Sequence, residues 1–213
     1  MSYNKTATWL YTLMGIVGEE TMNEVFREYY KKWAFNYPSW TDFTDVVNDV
    51  VKRIHGTRFG RDMNWFFDQT LYGTGICDYK VATIKNNKLE TSKEQNDGAD
   101  SVNKTLMIHD SLYKSLVELE RVGEVMLPVD VLVHFKNGEE VLESWHGKSR
   151  FKDFVYTGTR MIEWVKIDPE FKIRMDVNYI NNSRTEKPDR VPLRRLTNKL
   201  ISFLQFFISI VSI

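Results

Sequence analysis

Leu127-Pro128-Val129-Asp130-Val131-Leu132-Val133-His134-Phe135 leads through Lys136-Asn137-Gly138 into Val141-Leu142-Glu143-Ser144-Trp145. Apolar residues at 127, 129, 131, 133 and 135 set a two-residue period, which turns one face of an extended chain toward a core and leaves the other wet. Asn137-Gly138 suits a tight two-residue reversal, because both residues tolerate positive φ. The stretch therefore predicts an antiparallel hairpin with Val141–Trp145 as the return strand. The same alternation recurs at Phe171, Ile173, Met175, Val177 and Tyr179, interleaved with Lys172, Arg174, Asp176 and Asn178, and predicts another half-buried strand. Further strands are predicted at 79–85, 105–109, 114–122, 151–157 and 161–167. About eight short strands without interposed helices are the pattern of an antiparallel sandwich. Residues 90–100 are polar and are expected to form a flexible loop.

Upstream, the period is helical. Trp9, Leu10, Leu13 and Val17, then Met22, Val25, Phe26, Tyr29 and Trp33, recur three and four apart, with Gly18 as the break between two helices. A third helix is expected to begin near Ser39 or Thr41, after Pro38. It should turn Phe43, Val46, Val47, Val50, Val51 and Ile54 inward and stop at Gly56, which accepts a left-handed C-terminal cap. A fourth, around Asp62–Leu71, carries Trp65, Phe66 and Phe67 and closes at Gly73-Thr74-Gly75. The expected fold class is α+β: a helical subdomain at 1–75, an antiparallel Ig-like β-sandwich at 76–185, and a basic then apolar tail at 186–213 that forms a C-terminal helix.

Lys plus Arg and Asp plus Glu both number 29 among the 213 residues, so no net field draws the chain to nucleic acid. The single cysteine, Cys77, excludes an intramolecular disulfide and a multi-cysteine zinc site, and reads as a buried, inert thiol. The four histidines, His55, His109, His134 and His146, are scattered, and none has a partner at metal-ligand spacing. His55, at the helix end beside Gly56, reads as a cap, and Asp42, Asp45 and Asp49 as a solvated helix face. No secretory signal opens these residues, and the compartment is left open. Lys187, Arg190, Arg194, Arg195 and Lys199 precede the uncharged stretch Leu200–Ile213, which is short for a membrane span. Three fates suit that tail: packing as an amphipathic helix on the sandwich or on another domain, forming part of a longer hydrophobic element, or contact with a membrane surface through residues 190–213.

Particular residues narrow the class. Tyr3-Asn4-Lys5-Thr6, the apolar helix to Leu13 and Gly18-Glu19-Glu20 are followed in order by Phe26-Arg27-Glu28-Tyr29-Tyr30, Trp33-Ala34-Phe35, Tyr37-Pro38, Asp42-Phe43 and Trp65-Phe66-Phe67-Asp68-Gln69. This order resembles the segment downstream of the zinc site in the membrane alanyl aminopeptidase family of gluzincins. Leu127-Pro128-Val129, Phe135-x-Asn137-Gly138, Trp145-x-Gly147, Ile167-Asp168-Pro169 and Asp176-x-Asn178 resemble the β-sandwich of its bacterial members. Each motif is a turn or a core aromatic; their colinear order over most of residues 1–185 carries the resemblance. Thr6 stands where the family often has Gly. The family's zinc ligands, two His of an H-E-x-x-H helix and a later Glu, have no counterpart here.

The resemblance implies a C-terminal portion, or a non-catalytic remnant, of a zinc-dependent aminopeptidase that removes N-terminal residues from peptides. Tyr3 is then the only catalytic candidate. In the family, the phenol at this position donates a hydrogen bond to the oxyanion formed when zinc-bound water attacks the peptide carbonyl. That role requires a longer parent chain carrying zinc; in these residues alone no cofactor or metal is expected, and Tyr3 is an aromatic at a helix start. The implied partners are an upstream catalytic zinc domain, or a partner protein, on the face of residues 1–35. Peptide substrate is expected only in the full-length parent. The alternative is a non-enzymatic interaction module that uses exposed Trp and Phe of the first helices, or a membrane-peripheral adaptor that uses the tail.

Overall fold

The computed structural model describes residues 2–89, 112–188 and 191–211. Four helical elements come first: α1 (Ser2–Val17), α2 (Glu19–Trp33), α3 (Trp40–His55) and α4 (Asn64–Phe67), the last running directly into a π-helical turn at Asp68–Tyr72. Gly18 separates α1 from α2 at φ 93°, and Gly56 ends α3 at φ 61°, both in the region that favours glycine. At the start of α3 the Asp42 carboxylate accepts from the Ser39 backbone N–H at 2.7 Å, the reciprocal arm of a capping box. The Ser39 hydroxyl donates to the same carboxylate at 2.7 Å, and this bond first, then the backbone one, holds the Asp42 carboxyl below its ordinary pKa.

Trp9 organises the helical layer. Its ring meets Phe43, Phe66 and Phe67 at centroid distances of 6.0, 5.7 and 5.8 Å, and its Nε1–H donates to Thr70 Oγ1 at 2.7 Å. The Thr70 hydroxyl in turn donates to the Phe66 carbonyl at 2.7 Å, so the π turn leaves no polar orphan beside the ring. Leu13, Val17, Met22, Val25, Val46, Val47, Val50 and Val51 complete this core. Ile54 departs from expectation and is exposed. It lies in the last turn of α3, where its neighbour His55 makes the inward contacts with Thr21 of α2 and the end of α1 instead.

Seven strands are described: β1 (Tyr79–Lys88), β2 (Tyr113–Arg121), β3 (Val129–Phe135), β4 (Glu140–Trp145), β5 (Phe151–Gly158), β6 (Ile162–Ile167) and β7 (Ser183–Thr185). They form two antiparallel sheets, ordered β1-β2-β5 and β4-β3-β6-β7. Inward residues of β3 alternate without a break, and Val129, Val131, Val133 and Phe135 join a core continuous with that of the helices. Asn86 of β1 ties the two sheets together. It donates to the Ile162 carbonyl and accepts from the Ile162 N–H, both at 2.9 Å, while Ser115 Oγ donates to its Oδ1 at 2.7 Å.

The β3–β4 hairpin forms in the expected register, with Val129 opposite Trp145 and His134 opposite Glu140. Its reversal is one residue longer than the two-residue turn expected. Gly138 N–H donates to the Phe135 carbonyl and Phe135 N–H to the Glu139 carbonyl, both at 2.9 Å. Lys136-Asn137-Gly138 is therefore the loop, with Gly138 alone at positive φ, 86°.

Residues 171–179 correct the sequence reading more deeply, for they form turns and not a strand. Two carboxylates take the backbone donors a ladder would have used. Asp168, itself at φ 49°, accepts from the N–H groups of Lys172 and Ile173 at 2.8 Å each. Asp176 accepts from Asn178 N–H at 2.9 Å, Tyr79 N–H at 3.2 Å and Asn182 Nδ2 at 3.0 Å. This loop packs directly on α1, where a Cβ at Gly15 would lie 2.8 Å from Lys172 Cα. The strand expected at 105–109 and the loop expected at 90–100 lie outside the described residues.

A C-terminal helix, α5 (Val191–Val211), follows β7. Among the described residues no helix is long and apolar enough to cross a membrane.

Tyr79 joins the layers. Fully buried, it donates its hydroxyl to the Leu127 carbonyl and accepts from the Leu127 N–H, both at 2.8 Å, and meets Trp145 edge-on at 5.2 Å. Burial pushes its phenol pKa up and keeps the donor protonated. Tyr79→Phe orphans both Leu127 groups and is expected to destabilise the protein by about 1–3 kcal/mol in urea unfolding, with an unchanged m-value. A loss within error of zero would remove Tyr79 from its place in this account.

Candidate functional site

Tyr3 sits in the first turn of α1 with 90% of its surface exposed, while Trp9, Leu13 and Val17 of the same helix are buried. The layer therefore has two faces. The outer one carries Tyr11 and Tyr30, and at the α2–α3 corner it carries Phe35, Tyr37 and Trp40. Phe35 is 99% exposed at φ 63°. Trp40 meets Tyr72 edge-on at 5.0 Å, which extends the ridge onto the π turn. Isolated exposed apolar residues are ordinary, but this many large exposed aromatics on the first three helices and their connections is the composition of a covered surface. Exposed Trp and Phe were expected on the first helices; Trp9 is core and Trp33 half-buried, so Tyr supplies most of that exposure.

The described histidines are spread across separate elements. His55 Nε2 lies 2.8 Å from Thr21 Oγ1 and 3.1 Å from the Val17 carbonyl, so it closes the end of α1 from across the layer and joins three helices. His134 stacks on Trp164 at 4.7 Å and pairs with Glu140 at 3.1 Å and Glu163 at 3.5 Å. His146 is exposed near the end of β4, and His109 lies outside the described residues. Among the described residues, no three His, Cys, Asp or Glu side chains gather as a metal site would require. Cys77 is buried; burial first, then the Asp176, Asp78 and Asp168 carboxylates, pushes its thiol pKa far up, away from a reactive thiolate. Asp45 and Asp49 are exposed, as a solvated helix face requires.

A cleft of about 650 Å³ lies where the helical layer meets the sheets, between Gly15, the Arg58-Phe59-Gly60 turn and the β3–β4 rim. Its polar groups are engaged in holding the fold. Lys172 pairs with Asp130 at 2.8 Å and Glu170 at 3.1 Å, the Asp130 bond raising its pKa and keeping it an ammonium. The Asp168 carboxylate is occupied by backbone N–H groups. Ser144 and His146 both reach the cleft, without a hydrogen bond between them that would make a nucleophile and its base. Sequence reasoning missed this cleft, since its walls come from residues 15–16, 58–69, 126–130, 144–148 and 168–173, which are far apart in the sequence.

Comparison with protein-family models and with curated proteins finds no match to this chain.

The arrangement places an exposed phenol, Tyr3, in the first turn of α1, and among the described residues no ligand set for zinc gathers. After gel filtration the purified chain is expected to hold less than about one-tenth of an equivalent of zinc by emission spectrometry. One tightly held zinc per chain would contradict this reading of the histidines.

Proposed function

We propose that these residues are the closing part of a zinc-dependent aminopeptidase of the membrane alanyl aminopeptidase family. In this reading α1 to the π turn ends the helical catalytic domain, and the two sheets are the Ig-like sandwich that follows it. The observation that carries the proposal is the two-faced helical layer: Tyr3 begins an exposed aromatic edge on the helices whose opposite side is fully packed. An upstream catalytic domain is the body that would cover that edge. Among the described residues no side chains fit a zinc site, so this reading assigns the metal and the chemistry it supplies to other parts of a parent enzyme.

The contribution assigned to this chain is electrostatic. A phenol at the start of α1 donates to the carbonyl oxygen as it gains negative charge, a bond stronger in the transition state than in the ground state. The helix N-terminus supplies partial positive charge on the same side. Tyr3 makes no packing contact that the fold needs, since its side chain is almost wholly exposed.

A second reading uses the same face: a non-enzymatic module whose aromatic edge, Tyr30 through Trp40, binds a partner protein. Kinetics on the protein isolated from its source separate the two. Tyr3→Phe is expected to lower kcat on a free-amine peptide by about a hundredfold or more while KM changes little. A variant with undiminished kcat would sink the catalytic role. Absence of any aminopeptidase activity from the unaltered native protein would favour the interaction module.

A further inference from the structure

We infer that α5 lies in the plane of an anionic membrane surface. This goes beyond the aminopeptidase reading and does not depend on it. Leu193, Leu196, Leu200, Phe203 and Phe207 recur three and four apart and form one stripe, widened by Ile201 and Leu204 on its flanks. These side chains are between 47% and 66% exposed, as are all the side chains described along this helix in kind. The stripe faces solvent, and neither sheet nor helical layer covers it.

The opposite face is mostly polar, with Phe206 as its apolar exception. Asn198, Ser202 and Gln205 continue a strip that begins with Arg194, Arg195 and Lys199, and α5 contains no Asp or Glu. That charge pattern selects the occupant. A second copy of α5 would bring cations against cations with no carboxylate to pair them, and the apolar arc is broader than the seam a paired helix needs. A phospholipid surface answers both features at once: acyl chains accept the wide apolar arc, and anionic headgroups lie level with the Arg and Lys side chains. The polar strip running from Arg194 to Gln205 favours an in-plane orientation over a spanning one, because Asn198, Ser202 and Gln205 would otherwise face hydrocarbon.

The test is flotation of the full chain on vesicles of phosphatidylcholine alone and of phosphatidylcholine with phosphatidylglycerol. Binding is expected to be at least about tenfold stronger on the anionic vesicles and to be released by salt. The triple change Arg194→Gln, Arg195→Gln, Lys199→Gln is expected to weaken anionic binding by about a hundredfold. Phe203→Ser with Phe207→Ser should abolish binding to both kinds of vesicle without altering the unfolding midpoint, because neither ring supports the core. The salt release needs no variant, so a misfolded mutant would not shield the proposal. Equal binding to neutral and anionic vesicles, no flotation, resistance to alkaline carbonate, or a lipid-free dimer lost on changing the two Phe residues would each overturn it.

Discussion

Everything downstream of the helices hangs on how the chain enters β1. At Cys77–Tyr79 the backbone leaves the helical layer, pairs with the 173–178 loop and starts the first sheet. Asp176 accepts the Tyr79 N–H, and the Tyr79 hydroxyl closes on both backbone groups of Leu127, the residue that opens the hairpin. Burial raises the Asp176 pKa even against its three hydrogen bonds, so the seam carries a desolvated carboxylate that only complete satisfaction makes tolerable. Gly147 belongs to the same point. It sits at φ 70°, where a Cβ would strike the Leu127 carbonyl and come within 2.6 Å of the Tyr79 hydroxyl. One phenol thus fixes the entry to β1, the start of β3 and the exit from β4.

This seam gives the helical layer its function-relevant asymmetry. With α1 laid on the 168–176 loop through Gly15 and α4 closing over Trp9, one side of the layer is used up in packing. The aromatic side chains left over, Tyr3, Tyr30, Phe35, Tyr37 and Trp40, all lie outside the core. They are the surface that the proposed catalytic body would cover.

Much of the fold was legible in the sequence because the deciding residues act locally. Gly18, Ser39 and Gly56 mark helix ends through their own backbone preferences, and Val129–Phe135 alternates cleanly enough to fix its register. The stretch from Phe171 to Tyr179 alternates just as cleanly and is not a strand. The reason is non-local: Asp168 and Asp176 capture the donors a ladder needs, and Tyr79, a hundred or so residues away in sequence, supplies one of them. The candidate site was legible only as a resemblance. Nothing in the spacing distinguishes Trp9, which is core, from Phe26, which is exposed, because both sit among helix-spaced apolar residues. The cleft and the bare stripe of α5 became visible only once the packing of distant segments was known.

The central claim is that the exposed edge of α1–α3 is covered, in the native protein, by a catalytic domain on the same polypeptide. The most direct measurement is the intact mass of the native protein in its source, detected with an antibody against the two sheets. A species much larger than 25.2 kDa, carrying zinc and this segment together, is the expected result. A native species of 25.2 kDa would contradict it and leave the aromatic edge to a separate partner.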